Sequence, residues 1–270
     1  MNYNFDWDVV ARALPAMMQG LGITVQITLI TIAISMVLAV PVAVGRMSKI
    51  EVIRWAAQAY IEVFRCTPLL VQLFWIFYAM PALTGVTLPG EVSAVIALTA
   101  NLTAFMAEAY RSGFQSVPVE QVEAGRMLQL SRFQQLRYII VPQALRQQLP
   151  VILSLNISLF KDTALVSTIA VADLMFISNT ISSQTYRSLE VFTLAAFVYF
   201  AIAFPVSLAT SALERRMQNS SGMGAAPPRK LMARMMPGSR TPGSGTPGPQ
   251  TTGPQTTGPQ TTDPRTAVPA

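Results

Sequence analysis

The sequence contains no histidine, one cysteine (Cys66) and few charges, only 12% of its residues. The absence of histidine removes imidazole-based acid–base catalysis and histidine-containing triads. A single thiol leaves no intrachain disulfide, and together the two shortages exclude a structural zinc site. No Gly-x-x-x-x-Gly-Lys-Ser/Thr loop occurs, so a nucleotide site of that form is absent from this chain. What replaces charge is apolar surface: 51% of the 270 residues are hydrophobic, the balance of a membrane protein. The net charge of +6 suggests nucleic acid as a partner, but the placement of the charges explains it without one.

Uncharged runs at 21–44, 66–88 and 191–213 are each long enough to cross a hydrocarbon core of about 30 Å as helix. A weaker run covers 92–107, and a fifth, 149–172, is interrupted by Lys161-Asp162. The pattern predicts an all-α membrane protein with five spans, at about 21–44, 58–80, 91–110, 149–172 and 191–213. Arg46, Lys49, Arg54 and Arg65 flank the first connection, Arg111, Arg126, Arg132, Arg137 and Arg146 the third, and further basic residues follow Leu213. The opposite side carries Arg12 and Arg187. That asymmetry is expected to place the N-terminus outside and the C-terminus on the cytoplasmic side of the membrane.

Asp6 and Asp8 occupy the place where a signal peptide is basic, so the first run is expected to stay as a span. Pro15 and the stretch from Trp7 to Ala11 suggest a separate short segment lying on the outer face. The outer connections, 81–91 and 173–190, are too short to fold into a receptor domain. Residues 1–218 form the expected membrane domain. After Gln218 the composition turns to Pro, Gly, Thr and Ser, with a Gly-Pro-Gln-Thr-Thr unit starting at Gly248, Gly253 and Gly258, so 219–270 is expected to be a disordered, basic, solvated tail, contact with anionic lipid being the weaker reading.

Between Pro118 and Pro142 the spacing predicts two short cytoplasmic helices. The first has Val122, Met127 and Leu128 on or near one face and Glu120 and Glu123 in its first turn, where carboxylates suit the dipole. Ser131 and Gln134 form a capping-box signal for the second, which offers Phe133, Leu136 and Ile140 and is expected to end at Pro142. Periodicity alone equally allows an amphipathic linker on the membrane surface.

The residues resemble a known pattern. Glu123-Ala124-Gly125, a junction at Gln129 and Ile139-Ile140-Val141-Pro142 are similar to the cytoplasmic coupling loop of binding-protein-dependent ABC importer permeases. Glu62-Val63-Phe64-Arg65, Thr67-Pro68-Leu69-Leu70-Val71-Gln72, Ala107-Glu108-Ala109-Tyr110-Arg111 and Lys161-Asp162-Thr163-Ala164-Leu165 narrow the resemblance to the polar amino acid uptake group. It covers about 21–213. Cys66, Ser112, Glu120 and Gln129 stand where that group usually has glycine, and Gly125 replaces an alanine, which should weaken the first loop helix by up to about 1 kcal/mol.

The resemblance implies a permease of a bacterial cytoplasmic (inner) membrane that forms the path for a polar amino acid or similar zwitterion. Its partners would be ABC ATPase subunits, a second permease chain (identical or sister), an extracytoplasmic solute-binding protein and membrane lipid. It implies no cofactor in this chain, ATP-Mg being held by the partner ATPase. Glu120, Glu123, Ala124, Gly125, Met127, Leu128, Gln129, Ile139 and Pro142 would couple to that ATPase.

A charge at mid-bilayer depth costs at least about 2.5 kcal/mol, so Lys161-Asp162 needs a partner or a function. Lys161 suits a carboxylate and Asp162 an ammonium, although adjacent helical positions point about 100° apart. Thr163, Asn156 and Gln72 join the pair as candidates for the path, while Gln26 and Asn101 are expected to bond between helices. Glu62 with Arg65 and Glu108 with Arg111, each spaced i,i+3, are helix-end ion pairs or gate elements. Two other functions fit these residues less well. An enzyme pairing Asp162 with Asp173 would need a shared proton across some 16 Å of helix. A secondary transporter or channel gated by Lys161-Asp162 leaves the basic loop unexplained.

Overall fold

The computed structural model describes residues 5–220; the segment expected to form a tail lies outside them, apart from its first two residues. All regular structure in the described residues is helical: α1 (Trp7–Arg46), α2 (Glu51–Cys66), α3 (Leu69–Phe74), α4 (Met80–Thr84), α5 (Gly90–Gln115), α6 (Val119–Met127), α7 (Arg132–Gln135), α8 (Val141–Asp162), α9 (Leu174–Thr185) and α10 (Ser188–Ser220). π-helical turns at Trp75–Ala79 and Leu136–Ile140 join α3 to α4 and α7 to α8, and a 3₁₀ turn, Thr163–Ile169, follows α8. Among the described residues four helical stretches are long and apolar enough to cross a membrane, and five if the bent pair α2 with α3–α4 counts as one span.

α1 and α5 pack most extensively, and the reason is side-chain size. Gly20, Thr24, Thr28, Thr31, Ser35, Ala39 and Ala43 are all buried and recur every three or four residues along one stripe of α1. The first part of the stripe meets α9, where Gly20 lies against Asp173 and Ile177 and Thr24 Oγ1 accepts from Leu174 N at 3.1 Å; the later part meets α5, with Ser35 Oγ donating to Thr99 O at 3.3 Å and Ser93, Ala94, Ala97, Thr103, Ala104 and Ala107 buried. Small residues let two helices approach closely, which is how helices associate where lipid removes the hydrophobic drive. Leu73, Leu98, Met106 and Val166 fill the space beside this seam, each fully buried.

Two expectations change, and two others gain detail. The stretch before the first span is no separate surface segment, because α1 runs unbroken from Trp7, its N-terminus capped by Asp6, whose carboxylate accepts from Asp8 N at 3.0 Å. Pro15 lies inside that helix. The second span bends at Pro68, where the sequence leads one to expect a kink, and α2 and α3–α4 meet there at 108°. Proline has no N–H to continue the ladder, so the helix stops there. The fourth span starts earlier than residue 149. Pro142 does not end the second loop helix but sits in the first turn of α8, where a missing N–H costs nothing, and the π turn carries α7 directly into it. Finally, the short connection 173–190 is mostly helical. α9 packs there against α1 and α10 with Leu174, Ser178 and Ser182 buried.

The loop between α5 and α8 is built as its sequence signals. Ser131 Oγ accepts from Gln134 N at 3.3 Å and Gln134 Oε1 from Ser131 N at 2.8 Å, closing the capping box. α6 ends with Leu130 N bonded to Gly125 O and Gln129 N to Arg126 O, which places Gln129 at φ +56°. A side chain in this left-handed conformation costs about 1 kcal/mol that glycine avoids. Gln129→Gly is therefore expected to raise the thermal midpoint of the purified protein by about 2 °C, read by its monodisperse fraction after heating. Only Glu120 lies in the first turn of α6; Glu123 is one turn further along. Gly125 does more than weaken α6, because a Cβ there would stand 2.7 Å from Ile139 Cδ1.

Candidate functional site

Two interrupted helices meet in the interior. At the first break, Phe64 and Thr67 are left with carbonyls that the helix cannot satisfy. Gln72 Nε2 donates to Phe64 O at 2.9 Å, Thr67 O at 3.1 Å and Thr67 Oγ1 at 2.7 Å. Asn101 Nδ2, from α5, donates to Phe64 O and to Gln72 Oε1, both at 3.1 Å. Gln72 is thus buried as a clamp holding α2, α3 and α5 together. This matches the interhelical role expected for Asn101, and Gln72 shares it.

The second break ends α8 at Asp162. Thr163 N returns to Leu159 O and Lys161 O, and Thr163 Oγ1 donates to Phe160 O at 2.7 Å, so the buried threonine closes the helix end. Lys161 and Asp162 themselves are exposed on the surface of the chain. The cation at the last turn of a helix is favoured by the dipole. The 3₁₀ turn beyond packs on α3, with Val166 and Ile169 against Leu69 and Leu73 in one apolar cluster, so the two breaks are neighbours.

Asn156 lines a different feature, an apolar cavity of about 260 Å³ between α1, α8 and α10 with Thr28, Ile32, Phe160 and Ile202. Its Oδ1 is buried without a hydrogen-bond partner. Neither Lys161, Asp162, Thr163 nor Gln72 lines that cavity.

Of the two helix-end pairs, Glu108 and Arg111 form the ion pair, with Arg111 Nε donating to Glu108 Oε2 at 3.0 Å. Glu62 and Arg65 do not meet. The Arg65 guanidinium lies 5.5 Å over the Phe105 ring, and Glu62 accepts from Cys66 Sγ at 3.7 Å. An aromatic face within reach outcompetes an exposed i,i+3 pair, which is worth only a few tenths of a kcal/mol.

Among the loop residues, Glu120, Glu123, Ala124, Met127, Leu128 and Gln129 are exposed, Gly125 is buried, and Ile139 is half-buried behind it. Met127 is 86% and Leu128 74% exposed, beside exposed Val119, Phe133 and Tyr138. Large apolar side chains projecting from a loop rich in arginine mark a contact surface. Gln121 accepts from Gln143 Nε2 and fixes this loop to the start of α8.

Among the described residues two acids are buried: Glu190, which sequence reasoning missed, and Asp173, which it met only as a partner for Asp162. Glu190 is fully buried, accepting from Asp6 N at 3.2 Å and pairing with Arg187 at 3.4 Å, which ties the start of α1 to α10. Asp173 caps α9 through Phe176 N at 2.8 Å while its second oxygen has no partner. Burial pushes the Asp173 carboxyl up to about 6, against the pull of the Phe176 and Met175 N–H groups. A raised carboxyl stabilises the fold below its ordinary pKa, and that contribution is lost as pH rises through about 6. Asp173→Asn keeps the cap and removes the buried charge. It should stabilise the protein by about 2 kcal/mol at pH 8 and by little at pH 4, measured as thermal midpoints at the two values. A midpoint lowered equally at both would show that the carboxylate itself is needed.

The chain matches the family model described as "Binding-protein-dependent transport system inner membrane component" over residues 31–219. It is 34% identical to the glutamate/aspartate import permease protein of Escherichia coli O6:H1 over 221 residues, 79% of this chain and 99% of that one. It is 39% identical to the L-cystine transport system permease protein of Bacillus subtilis (strain 168) over 213 residues, 78% of this chain and 91% of that one. Among solved structures, an amino acid ABC transporter crystallised with histidines superposes with a TM-score of 0.75 at 35% identity, covering 79% of this chain and 100% of that chain. An inward-facing MetNI methionine ABC transporter shares the fold, with a TM-score of 0.62 at 20% identity over 75% of this chain and 96% of that one.

Proposed function

The chain belongs to the family of binding-protein-dependent transport system inner membrane components and is a permease subunit of an amino acid ABC importer; from that premise we propose how it works. Five spans, counting the bent pair as one, cross the membrane with the N-terminus outside and the C-terminus inside. Two permease chains stand together on two ATPase subunits that hold ATP-Mg, and an external binding protein delivers the solute. The α6–α7 loop transmits ATPase closure to the spans. Lys161 and Asp162 line the path and meet the carboxylate and ammonium of a zwitterion, Thr163 and Gln72 hold the helix breaks beside it, and Glu62, Arg65, Glu108 and Arg111 stand near its inner end, while Asn156 lies apart in the cavity between α1, α8 and α10.

The observation that carries this reading is the Lys161-Asp162 pair, exposed at a helix break within an apolar span. Interrupted helices at mid-depth are where transporters place their solute sites, since irregular backbone is tolerated only against protein or water. Lipid would not tolerate both charges, so the surface that exposes them needs a covering partner and a polar passage.

Reconstitution tests it. The permease with its ATPase and binding protein in liposomes should take up labelled amino acid only when ATP is inside and binding protein outside. Uptake driven by an ion gradient without either protein would establish the secondary-carrier alternative instead.

A further inference from the structure

α2 carries its polar residues on one line. Glu51, Arg54, Gln58, Glu62 and Arg65 fall within about 80° of one another around the helix, at successive steps of three or four residues. Arg54 and Glu51 pair at 3.3 Å, and all five are exposed or partly exposed. The buried side of α2 is apolar or small: Ile61 is in the core, and Tyr60 reaches Ala100 O on α5 at 2.7 Å. Ala56, Val63 and Val52 are exposed on a third side.

Such a stripe also suits a helix lying in the plane of the membrane with its charges among lipid headgroups. The contacts of α2 exclude that geometry. Ile53 and Ala57 lie against Gly45, at the end of α1, whereas Tyr60 and Phe64 bond to Ala100 and Asn101 in the middle of α5. Asn101 is fourteen residues before Gln115, about 21 Å of helix. α2 therefore climbs from one end of the bundle to its centre, and carries alternating charges with it. Charged side chains at that depth face a partner or water. On α5 the Glu108–Arg111 pair and Phe105, under the Arg65 guanidinium, flank the same line.

We propose that the α2 stripe lines a water-filled inner vestibule, through which a zwitterionic solute leaves toward the cytoplasm, with the Thr67-Pro68 break as its roof. The assignment rests on the importer reading for its direction. Charges of both signs in alternation suit a solute carrying both, because neither end of it is held strongly. Gln72 and Asn101 fix the roof by bonding the carbonyls freed at the break.

Cys66, the chain's only cysteine, is exposed at the last position of α2 and provides a native reporter beneath that roof. The assembled permease and ATPase in inside-out vesicles are treated with a charged, membrane-impermeant maleimide, and labelling of the permease is followed with time. Cys66 should react in the nucleotide-free state and at least fivefold more slowly with Mg-ATP and vanadate. In a Cys66→Ser background, Gln58→Cys on the stripe should react at least tenfold faster than Ala56→Cys, which has a similar depth on the apolar side. Equal rates at 56 and 58 would overturn the proposal, as would rates indifferent to trapping. Labelling of both positions only by a membrane-permeant maleimide would place the stripe in lipid or under a second copy, and overturn it too. Amino acid uptake by the same proteins in right-side-out vesicles tests the importer reading separately, since accessibility at 56, 58 and 66 requires no transport.

Discussion

Replacing Met127 and Leu128 together with aspartate is expected to abolish co-purification of the ATPase while the permease still reaches the membrane in normal amount. Both side chains are almost wholly free in the chain, 86% and 74% exposed, so no packing within the subunit is lost when they become charged. Their loss matters only to whatever covers them. Two central apolar anchors are commonly worth 2 kcal/mol or more each, so the pair should weaken assembly by roughly a thousandfold. Uptake should fall to background, and ATP hydrolysis by residual complex should no longer respond to binding protein. Normal co-purification of the double variant would move the ATPase contact away from the α6–α7 loop.

The two parts of that loop show how far sequence reasoning reaches. The capping box at Ser131 and the left-handed junction at Gln129 were legible because both are local: a few residues supply the partners, and the backbone has few ways to use them. Pro142 misled for the opposite reason. A proline reads as a stop unless the preceding turn has already released the N–H it lacks, and that release depends on the π turn at Leu136–Ile140.

Long-range features were harder. The seam of small residues on α1 was present as a repeat of Gly20, Thr24, Thr28, Thr31, Ser35, Ala39 and Ala43, and a search for small side chains four apart would have found it. A search for apolar runs does not, because such residues count weakly toward hydropathy. Gln72 was judged by its position in a span, whereas its role follows from two carbonyls set free by a proline four residues earlier. Asp173 and Glu190 looked like acids of an outer loop, and only the packing of α9 against α1 and α10 shows them buried. The bend at Thr67-Pro68 was legible as a kink, but not its angle of 108°, which the neighbours on α5 hold.

Asp162→Asn and Lys161→Met, made separately, carry the other large expected effect. Both residues stand exposed at the end of α8, where Thr163, not either charge, closes the helix, so each variant should insert and assemble normally. If Asp162 meets the ammonium of the solute in a site shielded from bulk water, losing that charge removes a charge-assisted contact worth about 2–3 kcal/mol, or thirty- to hundredfold in uptake at low solute concentration. Lys161→Met should cost a similar factor through the carboxylate, and should spare an amidated solute analogue that has no carboxylate to lose. Asp162→Asn should reduce both solutes alike. The split between the two analogues separates contact with solute from a structural pairing of the charges. If the pair instead neutralised charges on a second permease copy, each variant would lower the amount of assembled complex, and the two solutes would fall together in both. Equal uptake by either variant and the parent, at solute concentrations well below saturation, would remove Lys161 and Asp162 from the path.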